Sequence, residues 1–152
     1  MNGVDRLVGI RVMGWPQRGE SKDGHFTHLE HPEHGVICVG PRRQMGNFTP
    51  PWSPSTDIAA AWEVVEKMKA LGHGFEMMWF TRMGVERPYP QTGNACYVEF
   101  SWDWDVGKSV PQGHRASAAT PNPALSICLA ALRFVGVPES EITAALNAKG
   151  KP

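Results

Sequence analysis

The stretch from Phe75 to Met83 reads as a β-strand that is apolar on both faces. Phe75, Met77 and Trp79 fall on one side, Met78 and Phe80 on the other. Side chains alternate along a strand, so this pattern implies cover on both faces. Its expected partner, Asn94 to Asp103, sets Cys96, Val98, Phe100 and Trp102 on one face and Tyr97, Glu99 and Ser101 on the other. Helices on each side of an antiparallel pair supply that cover. The expected fold is an α/β (α+β) chain, a three-layer α-β-α sandwich with a small, mainly antiparallel sheet.

The helices are legible from spacing. Val4, Leu7, Val8 and Val12 form one stripe over residues 2–12, and Met13-Gly14-Trp15-Pro16 ends it. Ile58, Ala61, Trp62, Val65 and Met68 give an apolar face to a helix over about 57–71. Ser55, Thr56 or Asp57 caps it, and Glu63 with Lys67 forms an i, i+4 pair. A third helix begins at Asn122-Pro123 and is apolar nearly all round, which implies deep burial or an oligomer interface. A short helix over about 139–149 closes the chain, acidic first and basic last. Residues 16–50 read as a long His/Pro/Gly-rich insert in which only Val36 to Val39 looks like a strand. The 152 residues suit one domain, which buries roughly 70 % of its unfolded surface without a staple.

Charge and cysteine content narrow the partners. Fifteen basic against fifteen acidic side chains disfavour a duplex nucleic acid, whose binders carry a basic surface. Three cysteines (Cys38, Cys96, Cys128) without a CxxC pattern fit reduced thiols used as small hydrophobes. The opening residues lack the pattern of a secretory signal, and no apolar run reaches the roughly 18 residues of a membrane span. No membrane partner is expected.

Trp52-Ser53-Pro54-Ser55-Thr56-Asp57-Ile58-Ala59-Ala60-Ala61-Trp62-Glu63-Val64 resembles the signature of the phage ABA sandwich family. Pro123 to Leu132 is similar to its closing helix, and Val12-Met13-Gly14-Trp15 to the end of its first. The resemblance implies an α-β-α sandwich encoded by a bacteriophage or prophage and acting in the cytoplasm of the bacterial host. It implies no catalytic residues. The His-rich 20–45 insert and the tail after Pro138 depart from the family pattern.

Candidate chemistry follows residue by residue. His25, His28, His31 and His34 recur every third residue, with Cys38 beyond them. These are zinc-ligand types, but a three-residue step spreads ligands around a helix and alternates them across a strand. They are weak metal candidates, and no metal or cofactor is expected. Asp103 and Asp105 around Trp104 read as an acidic loop. Cys96 and Cys128 lie on apolar faces, where a thiol is inert. No nucleophile, zinc-protease or phosphate-loop motif is present, so no catalytic residue is assigned and the chain is expected not to be an enzyme.

Binding is better served. Trp52, Ser53, Ser55 and Thr56 lead into a helix N-terminus whose free N–H groups suit a phosphate and whose indole suits a base. Asp57 opposes this, and plain capping by Ser55 or Thr56 is the alternative. Arg82, Arg87 and Arg115, with Arg42 and Arg43, sit in or beside loops where several can converge on an anion. Trp15, Trp52 and Trp104 fall at element ends or loops, whereas Trp62 and Trp79 read as core. The leading expectation is a non-enzymatic phage accessory protein, a homo-oligomer that sequesters a small nucleotide signal of host antiviral defence. The alternatives are a module binding a host or phage protein through the third helix and residues 16–54, and a metal-dependent enzyme using the His-rich loop.

Overall fold

One helix, Pro123–Phe134, organises the molecule. The computed structural model describes residues 2–22, 26–39, 52–80, 95–102 and 114–148. In chain order these form α1 (Asn2–Leu7), continued by a π-helical turn at Val8–Val12, then β1 (Gln17–Glu20), β2 (Thr27–His31) and β3 (Gly35–Val39). There follow α2 (Ile58–Ala70), β4 (His73–Phe80), β5 (Ala95–Trp102), β6 (Arg115–Thr120), α3 (Pro123–Phe134) and α4 (Glu139–Asn147). The class is mixed α+β; the named strands pair antiparallel, and Trp52 adds one parallel bridge to Val39. Among the described residues the strands form two three-stranded sheets rather than one, β1-β2-β3 and β4-β5-β6.

Helix α3 is buried along nearly its whole length. It lies against β5 and β6 on one side and meets α2, α1, the π turn and α4 on others. Burial therefore explains its all-round apolar character, and the expectation that it forms a docking surface is corrected. Asn122 starts it: its side-chain oxygen accepts from the N–H groups of Ala124 and Leu125, with Pro123 in the first turn. Ser126, buried in its first turns, donates to the carbonyl of Cys96 at 2.8 Å and receives the N–H of Thr120. Arg133 near its end holds Glu139 through two hydrogen bonds and donates to the Ser117 carbonyl at 2.9 Å. The pairing pushes the Arg133 pKa up and holds the Glu139 carboxyl below its ordinary value.

The register of β4 to β6 sorts the sheet's faces. Phe75, Met77 and Trp79 pair with Phe100, Val98 and Cys96, and these in turn with Ala116, Ala118 and Thr120. Cys96, Val98, Phe100 and Ala118 are buried in one core with Val64, Val65 and Met68 of α2 and the apolar side of α3. Trp62 and Trp79 are corrected from core to exposed side chains. The reason lies in topology: β4 is the outer strand of its sheet, so its apolar residues run past the cover that α2 supplies. At one end of this sheet His73 packs on Phe134 and edge-on to Trp102, while His114 donates to the Phe134 carbonyl at 2.7 Å. Burial and the nearby His114 lower the His73 pKa.

The segment 16–50 is not a loop throughout. Residues 17–39 include an antiparallel meander whose inner residues Leu29 and Val39 join Trp15 in a second apolar cluster, flanked by Ile10, Met13, Ile37 and Trp52. Polar strand residues masked this in the sequence, because a small sheet packed on one helix needs few apolar positions. Gly9 permits the packing: a Cβ there would meet Leu29 Cδ1 at 2.3 Å. Among the described residues no helix is long and apolar enough to cross a membrane.

Candidate functional site

The expected ligand seat at the start of α2 is built as an internal joint. Ser53 and Ser55 are buried. The Ser55 N–H donates to the buried carboxylate of Asp5 at 2.7 Å, and the Ser55 carbonyl accepts from Asn122 Nδ2 at 3.0 Å. The Ser53 carbonyl accepts the N–H groups of Thr56 and Asp57 and the Thr56 hydroxyl. Asp57, rather than Ser55 or Thr56, caps the helix through the Ala59 N–H at 3.0 Å. Thr56 is exposed but points its hydroxyl inward along the chain. The backbone groups of Ser53 and Ser55 are used to hold α1, α2 and α3 together, while the buried Ser55 hydroxyl has no hydrogen-bond partner among the described residues.

The remaining members of the expected set do not assemble there. Trp52 donates its indole N–H to Glu63 at 3.1 Å and stacks on Trp15 at 4.6 Å, tilted by 60°. Its backbone N–H reaches the Cys38 carbonyl and extends the first sheet by one bridge. Arg115 lies on the other sheet and faces Glu99 at 3.6 Å. Arg82 and Arg87 lie outside the described residues, as do Arg42, Arg43, Asp103, Trp104 and Asp105.

The histidines diverge as strand alternation requires. His28 faces Cys38 across β2 and β3 on the outer side, whereas His31 turns inward onto Trp15 at 4.8 Å. His34 stacks on His31 at 4.5 Å. His31 Nδ1 accepts the N–H groups of Glu33 and His34 at 3.0 and 3.2 Å, so the neutral ring carries its proton on Nε2. His25 lies outside the described residues, and among the described ones no cluster of three metal-ligating side chains forms. The buried thiols of Cys96 and Cys128 are pushed up by burial, the latter strongly and also by Asp5.

What the structure does assemble is a groove of about 550 Å³ beside the first sheet. The chain reversal Met13-Gly14-Trp15-Pro16 forms one wall, and the β2–β3 turn with Glu30, His31, Pro32 and Glu33 forms another. Gly14, at φ 74°, makes the reversal possible. Lys67 of α2 supplies the cation. It has no ionic partner among the described residues, and Glu63, its expected i, i+4 mate, instead accepts the Trp52 indole N–H. Glu30 is neutralised by Arg18 across the first sheet. The groove thus brings together Lys67, without an ionic partner among the described residues, the half-buried His31 ring and the Glu33 carboxylate, above a Trp15 that is itself buried. Sequence reading missed it because its parts come from three separated segments. The one local signal was the Gly14-Trp15-Pro16 reversal.

No curated protein and no solved structure matches the chain. The phage ABA sandwich domain, by contrast, matches residues 6–132, from the first helix to the last turns of α3. That match spans both sheets and the three helices that join them, and the chain belongs to the phage ABA sandwich domain family.

Proposed function

We propose that this protein acts by binding rather than by catalysis, and that the groove beneath Lys67 takes a small anionic aromatic ligand such as a nucleotide. The observation that carries the reading is an ammonium without an ionic partner among the described residues, set beside the His31 ring in a groove of ligand size. The Lys67 ammonium and His31 Nε2–H donate to phosphate oxygens. The His31 ring, backed by the buried Trp15, presents its surface to the base. Glu33 accepts from an exocyclic amine, the role carboxylates play toward cytosine-type amino groups. Sequestration of a nucleotide signal needs no more than this, since tight capture without turnover removes the signal from its receptor.

The test is a thermal-shift and native mass titration with cyclic and linear nucleotides, beside the corresponding nucleosides. Nucleotides are expected to raise the melting temperature and add their mass, and nucleosides to do so more weakly. Lys67→Glu abolishes the shift while leaving the unliganded melting temperature close to wild type. No shift with any nucleotide at millimolar concentration overturns the reading.

A further inference from the structure

Among the described residues β4 is the outer strand of its sheet, and the one edge-protecting device in it is the charge of Glu76. Over His73–Phe80 it contains no lysine and no proline, its only acidic or basic group besides the terminal His73 is Glu76, and its eight-residue register with β5 runs without a bulge. Instead it exposes apolar side chains on both sides of the edge: Met77 is 37 % exposed, Met78 40 % and Trp79 55 %. Helix α2 returns alongside through the Leu71–Gly72 turn and adds Ile58 at 48 % and Trp62 at 43 %. Trp62 stands edge-on to Phe75 at 5.6 Å, so helix and strand form one patch on the face of Phe75, Met77 and Trp79, and Met78 adds apolar surface on the opposite face of the same edge.

The size and the charge pattern identify the occupant. Side chains of this kind, exposed to that extent, leave roughly 500 Å² of apolar surface, at the upper end of what a monomer shows. Two copies of the patch come to about 1,000 Å², where specific interfaces begin. A strand with a single acid is also compatible with itself. Antiparallel pairing about a two-fold axis places one residue opposite its own copy. Glu76 is excluded from that position by like charge. Centring on Met77 sets Glu76 opposite Met78 and Phe75 opposite Trp79 of the partner subunit.

We propose that β4 pairs antiparallel with β4 of a second copy of this chain, joining two three-stranded sheets into one six-stranded sheet with the Trp62 and Trp79 side chains closing over the seam. The pairing satisfies the outward backbone groups of β4 and removes the apolar edge from water. It leaves the groove beside the first sheet free, because that groove belongs to the other sheet.

The experiment is sedimentation equilibrium and native mass spectrometry of the full chain from about 1 to 100 µM. The wild type is expected to be a dimer. Met78→Glu, at an exposed position, sets an acid opposite Glu76 of the partner subunit, or opposite its own copy if residue 78 lies on the axis; it keeps the circular dichroism spectrum and weakens the dimer roughly a hundredfold. In a Cys38→Ser background, Met77→Cys or Met78→Cys oxidises to a disulfide-linked dimer, according to which residue lies on the axis. A monomer at 100 µM overturns the proposal, and so does a dimer that Met78→Glu leaves intact and neither cysteine captures. A foreign strand as the natural occupant would give the monomer result. Nucleotide titration of the Met78→Glu protein reports the groove separately.

Discussion

The carboxylate of Asp5 accepts the backbone N–H of Ser55 at 2.7 Å, across fifty residues of sequence. Both residues are buried, and the bond ties α1 to the segment that leads into α2. Burial dominates the carboxyl's electrostatics and raises its pKa from 3.8 to about 6, against the lowering effect of the Ser55 hydrogen bond. A group whose folded pKa is raised contributes its stability fully below the unfolded value and loses it as pH rises through the folded one. Ionised Asp5 therefore costs the fold about 3 kcal/mol above pH 6 relative to acid conditions.

Asp5→Asn keeps an acceptor for the Ser55 N–H and removes the charge. It is expected to raise unfolding free energy at pH 7 by about 1–2 kcal/mol, the full gain being reduced by the new buried NH₂ group. His73, its pKa lowered by burial, works in the opposite sense as pH falls, so the difference between variant and wild type is the informative quantity. Urea titrations between pH 4 and 8 check it: the difference grows from pH 4 to 7 and levels off.

Asn122 is the other half of the same joint. It caps α3 through Ala124 and Leu125 and donates to the Ser55 carbonyl. Asn122→Ala loses both functions and is expected to cost about 2–3 kcal/mol. Asn122→Ser retains a cap and costs about 1 kcal/mol less. Denaturant midpoints at constant slope report the two values.

Gly3 lets α1 approach α4. A Cβ at this position would lie 2.6 Å from the carbonyl oxygen of Ala145 and 2.7 Å from its Cα. Gly3→Ala is expected to destabilise by about 1–3 kcal/mol. Because the obstruction is backbone, Ala145→Gly does not rescue it. Thermal denaturation of both single variants and the double variant distinguishes this from a side-chain clash.

His31→Phe separates binding from folding in the groove. The phenyl ring preserves stacking on Trp15, while the Glu33 and His34 N–H groups, both in an exposed turn, pass to water. Stability is expected to fall by less than about 1 kcal/mol. Nucleotide affinity falls about tenfold with the loss of the Nε2–H donor, a ratio that isothermal titration measures directly.

Helices and their limits were readable from local pattern. The Val4, Val8, Val12 stripe, the Ile58 to Met68 face and the Asn122-Pro123 start each reflect forces that act within a few residues. The strands β4 and β5 were readable for the same reason, since alternation is local. Of the first sheet only β3 was readable, from Val36 to Val39; β1 and β2 were not, because they are short, polar and stabilised by pairing and by Trp15. A polar residue can serve a strand as well as a loop when its neighbour in space supplies the backbone partner.

What the amino-acid sequence determined by itself is the helix order, the antiparallel central strands, the absence of a local catalytic motif and the family. Tertiary structure decided which polar groups remain free to act. Ser53, Ser55 and Thr56 have the chemistry of an anion site in a local reading, yet Asp5 and Asn122 take the Ser55 backbone groups, and the Ser53 carbonyl takes the Thr56 N–H and hydroxyl. Lys67 reads as the mate of Glu63 but pairs with no acid among the described residues, and Glu63 receives the Trp52 indole N–H. Hydrogen-bonding capacity belongs to a residue, but its availability depends on what long-range packing brings within 3 Å.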